Sequence, residues 1–256
     1  MLAVIVAGSV LLLETRYASL VFGAFWLIGA TEWARLAGFT GIGRAAYAAV
    51  FAAFVIGVLG LGLPGGVAEA VFLIAAAGWF CAFVYVLRYP RQLARLPIAA
   101  FGLVALAAAW LAFHNVHGAG AEGPALILTG LVIVWSADIG AFFVGRTLGH
   151  RPLAPRVSPK KTWEGVGGGV ALAAAAGAIS AWLLGRPLAA LVPVAAAMAL
   201  ISIVGDLGVS LLKRRAGLKD SGMLLPGHGG ILDRFDGVTA ALPFFVLGLQ
   251  FAHVLD

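Results

Sequence analysis

The sequence contains a single cysteine, Cys81, and only 11% of its 256 residues are charged. One cysteine excludes a disulfide framework or a thiolate metal site within one chain, and the apolar segment around it predicts a buried packing residue. So little charge beside 62% hydrophobic residues excludes a water-soluble domain over most of the length. The glycine cluster that contains Gly165 and Gly169 lacks the following Lys-Ser or Lys-Thr of a P-loop, so its small-residue spacing indicates helix packing in lipid.

Long apolar runs predict an all-α polytopic membrane protein. A spanning helix needs about 20 mostly apolar residues. Nine segments are candidates: residues 1–13, 17–34, 45–63, 67–87, 96–113, 124–144, 165–184, 188–205 and 237–254. The first is short and could be read as part of a signal peptide, but no basic residue precedes it and Glu14-Thr15-Arg16 is a poor cleavage site. We therefore predict about nine transmembrane helices in one membrane-embedded domain, residues 1–256, with 1–123 as a scaffold that can supply dimer contacts and 124–256 carrying the active site.

The basic residues are distributed unevenly when successive loops are placed on alternate sides of the membrane. With the amino terminus in the cytoplasm, all of the 17 basic residues except Arg16 and Arg186 fall on the cytoplasmic side. The two long charged loops, residues 146–164 and 206–236, are both on that side. Positive loops next to anionic lipid account for the formal net charge of +6, so no nucleic-acid partner is predicted.

The segment before the second loop ends with a carboxylate. Asp206 follows the apolar run 188–205, where an acid is costly unless it is paired, metal-bound or hydrated. If the helix continues, Ser210 and Lys213 lie one and two turns further along the same face. The pattern predicts a cavity wall with a metal ligand, a hydroxyl and a cation. A structural pair between Asp206 and Lys213 is the alternative.

The loop itself, SLLKRRAGLKDSGMLLPGHGGILDRFD at residues 210–236, combines a basic cluster with glycines and paired aspartates. Proline and three glycines at 226–230 exclude a regular helix there. A bare backbone beside Asp233, Arg234 and Asp236 suits a cation and a polyphosphate, because carboxylates bind divalent metals and arginine grips phosphate. Helix capping is the alternative for the aspartates, and His228 can be a ligand, an acid or, as we favour, a turn residue.

Two segments upstream carry charge on the same predicted side. Asp138 lies inside an otherwise apolar helix, which makes it a functional-site candidate. A buried ion pair with Arg146 or with a lysine of the next loop is the alternative. Residues 158–165, SPKKTWEG, place two lysines and a threonine hydroxyl before a helix start, where they suit phosphates, and Glu164 is positioned to cap that helix.

Other polar residues are weaker candidates. Glu32 is interpreted as an interfacial residue paired with Arg35, and Trp33 as an interfacial anchor. Four residues fall on the opposite side of the membrane and are excluded from the same site: Glu69, His114, His117 and Glu122.

Together these blocks resemble the signature of the phosphatidate cytidylyltransferases, also called CDP-diacylglycerol synthases. The resemblance rests on Ser210, Lys213-Arg214, Lys219-Asp220, Pro226, His228-Gly229-Gly230 and Asp233-Arg234-Phe235-Asp236. Residues 135–138 and 158–165 are similar to the upstream blocks of the family, so the resemblance covers roughly the carboxyl-terminal half. The amino-terminal half agrees only in hydropathy and in the patch at residues 32–35.

The resemblance implies a multi-pass, often dimeric enzyme that converts CTP and phosphatidic acid into CDP-diacylglycerol and pyrophosphate. It implies dependence on Mg²⁺, matches Asp206 and Asp233 to the metal-binding aspartates of the family, and leaves open a second cation such as K⁺. An active site at the cytoplasmic face of the cell membrane would serve both substrates, since CTP is soluble and the lipid head lies at the interface.

The expected catalytic groups combine these lines of reasoning. Because the phosphate of phosphatidic acid is itself a nucleophile, positioning and charge neutralisation are the main tasks. The catalytic candidates are Asp138, Asp206, Lys213, Asp233 and Asp236. The substrate-binding candidates are Ser158, Lys160, Lys161, Thr162, Ser210, Arg214, Lys219, His228, Gly229, Gly230 and Arg234.

Two other functions remain as alternatives. A CTP-dependent polyprenol or phytol kinase shares the hydropathy and the phosphate chemistry, but it would release CDP instead of pyrophosphate. A secondary transporter would use Asp138 and Asp206 as coupling carboxylates in inverted repeats, and no internal repeat is evident. A CDP-alcohol phosphotransferase is excluded, because the segment that starts at Asp236-Gly237 lacks the arginine of that motif.

Overall fold

The structure is a computed structural model that describes residues 2–90, 94–222 and 229–255. Nine helices are found in these ranges: α1 (Leu2–Leu12), α2 (Thr15–Leu36), α3 (Gly41–Leu61), α4 (Val67–Leu87), α5 (Arg95–His117), α6 (Gly123–Leu148), α7 (Trp163–Leu183), α8 (Leu188–Arg215) and α9 (Leu232–Phe251). Each corresponds to one predicted apolar segment. Six of them, α3 to α8, are long and apolar enough to cross a membrane, so the chain is a helical, multi-pass membrane protein.

Several helices extend beyond their apolar segments. The most important extension is in α8, which continues past Asp206 to Arg215, although its apolar run ends at Gly205. Hydropathy locates the part of a helix that lies in lipid, whereas the backbone hydrogen bonds continue into the charged part. Asp206, Ser210 and Lys213 are therefore on one continuous helix, as the sequence suggested.

A two-stranded antiparallel sheet lies in the first charged loop, where the all-α prediction had no strand. Strand β1 (Pro152–Ala154) pairs with β2 (Ser158–Thr162), with Pro152 opposite Thr162 and Ala154 opposite Ser158. The strands are too short, and too rich in proline, to show an alternating apolar pattern. Strand β2 carries the two predicted lysines and contacts α6 and α7, and Lys161 reaches Asp206 of α8.

Close glycine contacts bring the carboxyl-terminal helices together. The carbonyl oxygens of Ala141 and Ala137 lie so close to Gly165 and Gly169 that a Cβ there would come within 2.9 and 2.8 Å of them. The prediction that these glycines serve helix packing is thus confirmed. On α8, a Cβ at Gly205 would lie 2.5 Å from the carbonyl oxygen of Asp236, so α8 and α9 approach each other beside the two acids.

The amino-terminal helices pack against α9 through aromatic side chains. Phe25 stacks on Phe235 with ring centroids 5.7 Å apart, and Trp26 donates from Nε1 to Thr239 Oγ1 at 3.2 Å. One buried hydrophobic cluster extends from Val6 to Leu249. The predicted burial of Cys81 is wrong, because its side chain lies on an exposed face of α4. Exposed apolar residues are ordinary on a helix that faces lipid.

Candidate active site

A cavity of about 1130 Å³ lies between α6, the hairpin, the start of α7, α8 and α9. It collects residues from loops and helices that are far apart in the sequence. The predicted site residues on its wall are Asp138, Ser158, Lys160, Lys161, Thr162, Asp206, Lys213, Asp233, Arg234 and Asp236. Apolar residues, including Trp135 and Phe142 of α6, complete the wall, so the cavity has a charged part and an apolar part.

The other predicted residues lie next to the cavity or outside it. Ser210 donates to Asp206 Oδ1 at 3.2 Å, and Arg214 donates from Nε to the carbonyl oxygen of Val157 in the hairpin at 3.3 Å. Lys219 is exposed. Gly229 and Gly230 immediately precede α9, and His228 lies outside the described residues.

Asp206 is held by the hairpin and by its own helix. Lys161 of β2 forms an ion pair with Asp206 Oδ2, while Ser210, one turn further along α8, occupies the other oxygen. The side chain of Asp206 remains 33% exposed. Lys213, the alternative partner in the sequence, does not pair with Asp206 but turns to α9.

Asp233, at the start of α9, has four donors on its two oxygens. Lys213 Nζ lies 2.7 Å from Oδ1. The backbone N–H groups of Ser221 and Gly230 donate to Oδ2 at 2.8 and 2.9 Å, and the Ser221 hydroxyl does so at 3.0 Å. Burial raises the pKa of this carboxyl, but these hydrogen bonds outweigh burial and the pKa lies below its usual value. Asp233 is therefore ionised, with Oδ2 fixed by the protein and Oδ1 toward Lys213.

Two further carboxylates surround Lys161. Asp138 and Asp236 interact electrostatically with Asp206 and with Lys161, so three acids face the same lysine. The sequence left Arg146 and a lysine of the next loop as alternative partners of Asp138, and the structure brings it near the lysine, Lys161. Because the acids around Lys161 outnumber it, a further cation at this place would stabilise their ionised forms.

The charged wall has the donor chemistry of a magnesium site. Mg²⁺ prefers oxygen ligands, keeps several waters, and is usually held by one or two carboxylates together with substrate phosphates. Among the described residues, no group of three or more His, Cys, Asp and Glu side chains is arranged to hold a metal by itself. Asp206 on α8 and Asp233 on α9 both line the cavity, and carboxylate oxygens are the ligand type that such an ion takes.

Thr162 joins the cavity wall to α7. Its hydroxyl oxygen accepts from the backbone N–H of Gly165 at 3.2 Å, so Thr162 caps the helix and its own proton remains able to donate into the cavity. Glu164, which was predicted to cap the helix, interacts with its own backbone N–H in the first turn of α7, and it also accepts from the N–H groups of His150 and Arg151 at 3.2 Å each. It stabilises the turn that leads into the hairpin.

Glu32 is the polar residue that sequence reasoning placed wrongly. It is only 4% exposed, and it accepts hydrogen bonds from Ser221 and from the first residues of α9. Arg35, its predicted partner, donates to the carbonyl oxygen of Asp220 at 2.9 Å. A signal was present, because a carboxylate in an apolar helix is a site candidate by the same argument that selected Asp138.

The whole chain is similar to proteins that transfer cytidylyl groups. A sequence profile described as the cytidylyltransferase family matches residues 1–252. The chain belongs to this family. The match includes the amino-terminal helices, so the cytidylyltransferase sequence extends well beyond the carboxyl-terminal half to which the motifs limited the resemblance.

Several cytidylyltransferases from bacteria are similar to the chain over much of their length. A phosphatidate cytidylyltransferase from Pseudomonas aeruginosa is 45% identical over 252 residues, which are 94% of this chain and 90% of that protein. One from Haemophilus influenzae is 40% identical over 188 residues, 67% of this chain and 65% of its own. One from Bacillus subtilis is 40% identical over 157 residues, 58% of each chain.

Proposed function

We propose that this protein is a phosphatidate cytidylyltransferase, which converts CTP and phosphatidic acid into CDP-diacylglycerol and pyrophosphate. One observation supports this function above the others: a single cavity combines four carboxylates with Lys160, Lys161, Lys213 and Arg234, beside an apolar wall. Two anionic substrates, one of them a lipid, need this combination. The relatives that carry the name of this activity support the same conclusion.

The chemistry is an in-line nucleotidyl transfer. An oxygen of the phosphatidic acid phosphate forms a bond to the α-phosphorus of CTP, and the bond from that phosphorus to the oxygen that bridges to the β-phosphate breaks. Pyrophosphate leaves with that oxygen and its electron pair, so no covalent enzyme intermediate and no redox partner are needed. The task of the protein is to hold the two phosphates in line and to offset their repulsion.

The cavity residues divide this task by their charge. Lys160, Lys161 and Arg234 supply positive charge to the triphosphate and to the lipid phosphate, and Thr162 and Ser158 donate from their hydroxyls. Asp206 and Asp233 would hold a Mg²⁺ ion, with Asp138 and Asp236 near it. When bound, the ion supplies charge that neutralises the nucleotide phosphates. A magnesium titration in the presence and absence of K⁺ tests whether a second cation takes part.

The proposed arrangement in the membrane follows from the charge pattern. We place the amino terminus and the cavity on the cytoplasmic side of the cell membrane. The basic residues concentrate on one predicted face, and loops rich in Lys and Arg are typically cytoplasmic. The nine helices then cross the bilayer in turn, residues 1–123 form the scaffold, and residues 124–256 carry the site. Two such chains form a homodimer, a proposal that rests on the family resemblance alone.

The decisive experiment is product analysis with the purified protein in detergent. With CTP labelled at the α-phosphorus and phosphatidic acid, the label should move to a lipid product while pyrophosphate appears in equal amount. Labelled CDP in the water phase together with a phosphorylated polyprenol would favour the kinase. Uptake of an unchanged solute into proteoliposomes, without any lipid product, would favour the transporter.

A further inference from the structure

We propose that Glu32, on α2, is a positioning residue for Asp233. Its carboxylate holds Ser221 and the amino end of α9 in the geometry in which Asp233 presents one oxygen to the cavity. The inference rests on the proposed function. It assigns a task in the reaction to a residue of the amino-terminal half, 200 positions in sequence from a partner in α9.

Glu32 caps α9 from another helix. The residue that precedes α9, Ile231, has no side-chain group that can bond the first N–H groups of the helix. Glu32 takes this role, since Oε1 accepts from the N–H of Ile231 at 3.0 Å and Oε2 from the N–H of Leu232 at 2.8 Å. Negative charge at a helix amino end is favourable, and hydrogen bonds offset the cost of burying a carboxylate.

Ser221 connects Glu32 to Asp233. Its hydroxyl oxygen lies 2.8 Å from Glu32 Oε2 and 3.0 Å from Asp233 Oδ2. A hydroxyl has one proton, so the two carboxylates share it. The backbone N–H of Ser221 also donates to Asp233 Oδ2, at 2.8 Å. A shift of Glu32 therefore moves two of the three donors that hold this oxygen.

The third donor lies on a segment that also touches Glu32. Gly230 donates from its N–H to Asp233 Oδ2 at 2.9 Å. A Cβ at Gly230 or at Gly222 would overlap with the Glu32 carboxylate, so both glycines lie directly against this acid. With Oδ2 held in this way, Oδ1 is directed to Lys213 at the cavity wall.

The test compares the metal dependence of two variants with that of the wild type. Glu32→Gln keeps the shape of the side chain, but its NH₂ group replaces an acceptor oxygen and meets at least one buried donor without forming a hydrogen bond. Ser221→Ala removes the shared hydroxyl. Each should raise the Mg²⁺ concentration for half-maximal activity by roughly tenfold. Each should also weaken Mn²⁺ binding to the substrate-free protein by a similar factor, as measured by electron paramagnetic resonance. Glu69→Gln, an exposed acid at the start of α4, is the matched control and should leave both values unchanged.

A purely structural role predicts a different result. The variants would then lose thermal stability or yield, while the folded fraction keeps the magnesium and manganese dependence of the wild type, and this outcome overturns the proposal. If Glu32→Gln does not fold, Ser221→Ala decides alone. Because both changes act through one contact, the double variant should be affected less than the product of the two single effects. A wild type without lipid product would refute the proposed function, whereas an active wild type with insensitive variants would refute only the role of Glu32.

Discussion

Lys213 on α8 donates to Oδ1 of Asp233 on α9 at 2.7 Å, and both residues line the cavity. The two side chains are only 15% and 11% exposed, so each depends on the other for charge compensation. Removing one partner of such a pair leaves an uncompensated charge. The pair also keeps a cation within reach of any phosphate that approaches Asp233.

Replacement of this lysine should therefore abolish most of the activity. We expect Lys213→Met to lower kcat by at least about 100-fold, because a cation that stabilises developing charge is lost. Lys213→Arg, which keeps the charge, should recover part of it. Arg186→Met is the control: this arginine pairs with Glu122 at 2.8 Å, away from the cavity, and equal loss of activity in both variants would contradict the assignment.

The proposed metal ligands should be essential for turnover but not for membrane insertion. Asp206→Asn and Asp233→Asn should each reduce CDP-diacylglycerol formation by at least about 100-fold at saturating magnesium. Both variants should still be extracted with the membrane fraction. Glu122→Gln serves as the control. Near-normal product formation by either asparagine variant would refute the metal assignment.

Thr162 caps α7 and lines the cavity, so its replacement should affect both stability and substrate binding. Thr162→Val removes the cap of α7 and should lower stability by about 1 kcal/mol, and it should also raise the KM for one of the two substrates. Thr162→Ser retains the hydroxyl and should restore both properties. The control is Thr147→Val, since the Thr147 hydroxyl donates within its own helix at 2.8 Å. Thermal unfolding in detergent and steady-state kinetics measure the two effects.

The close contact between α8 and α9 should be sensitive to a single methyl group. A Cβ at Gly205 would lie 2.5 Å from the carbonyl oxygen of Asp236, so Gly205→Ala forces the two helices apart beside Asp206. We expect lower activity together with a lower unfolding temperature. Gly60→Ala on α3, where a Cβ meets nothing within 4 Å, should change neither value. Wild-type activity of the Gly205 variant would contradict the prediction, because it would mean that activity does not depend on the close approach of α8 and α9 beside Asp206.

The single cysteine makes the membrane orientation easy to test. After Cys81→Ala, a cysteine introduced at Pro155, in the turn of the hairpin, should react with an impermeant maleimide only when the cytoplasmic face is accessible. A cysteine at Ala121, in the exposed connection between α5 and α6, should react from the opposite face. The reverse pattern, or labelling of both from one side, would contradict the proposed topology.

Local sequence was sufficient for the helices and for most of the candidate site. Nine apolar segments predict nine helices because the cost of placing charge in lipid is a property of each segment by itself. Asp138, Asp206 and Asp233 were selected because an acid beside an apolar run is costly unless an ion pair, a metal ion or water compensates its charge. The cavity brings them together with Lys161, but hydropathy could not predict the hairpin, whose strands are too short for a pattern.

Partners across the fold were decided by tertiary structure. Lys213 had Asp206 as its nearest candidate in sequence, yet the contact between α8 and α9 pairs it with Asp233, and Asp206 receives Lys161 instead. Glu32 was assigned to Arg35, three residues away, whereas its carboxylate binds N–H groups about 200 residues further along the chain. The sequence by itself determined which residues are costly to bury in a membrane. Which donor offsets each cost depends on how the helices pack. Hydrogen bonds form between groups that are neighbours in space, whatever their separation in the sequence.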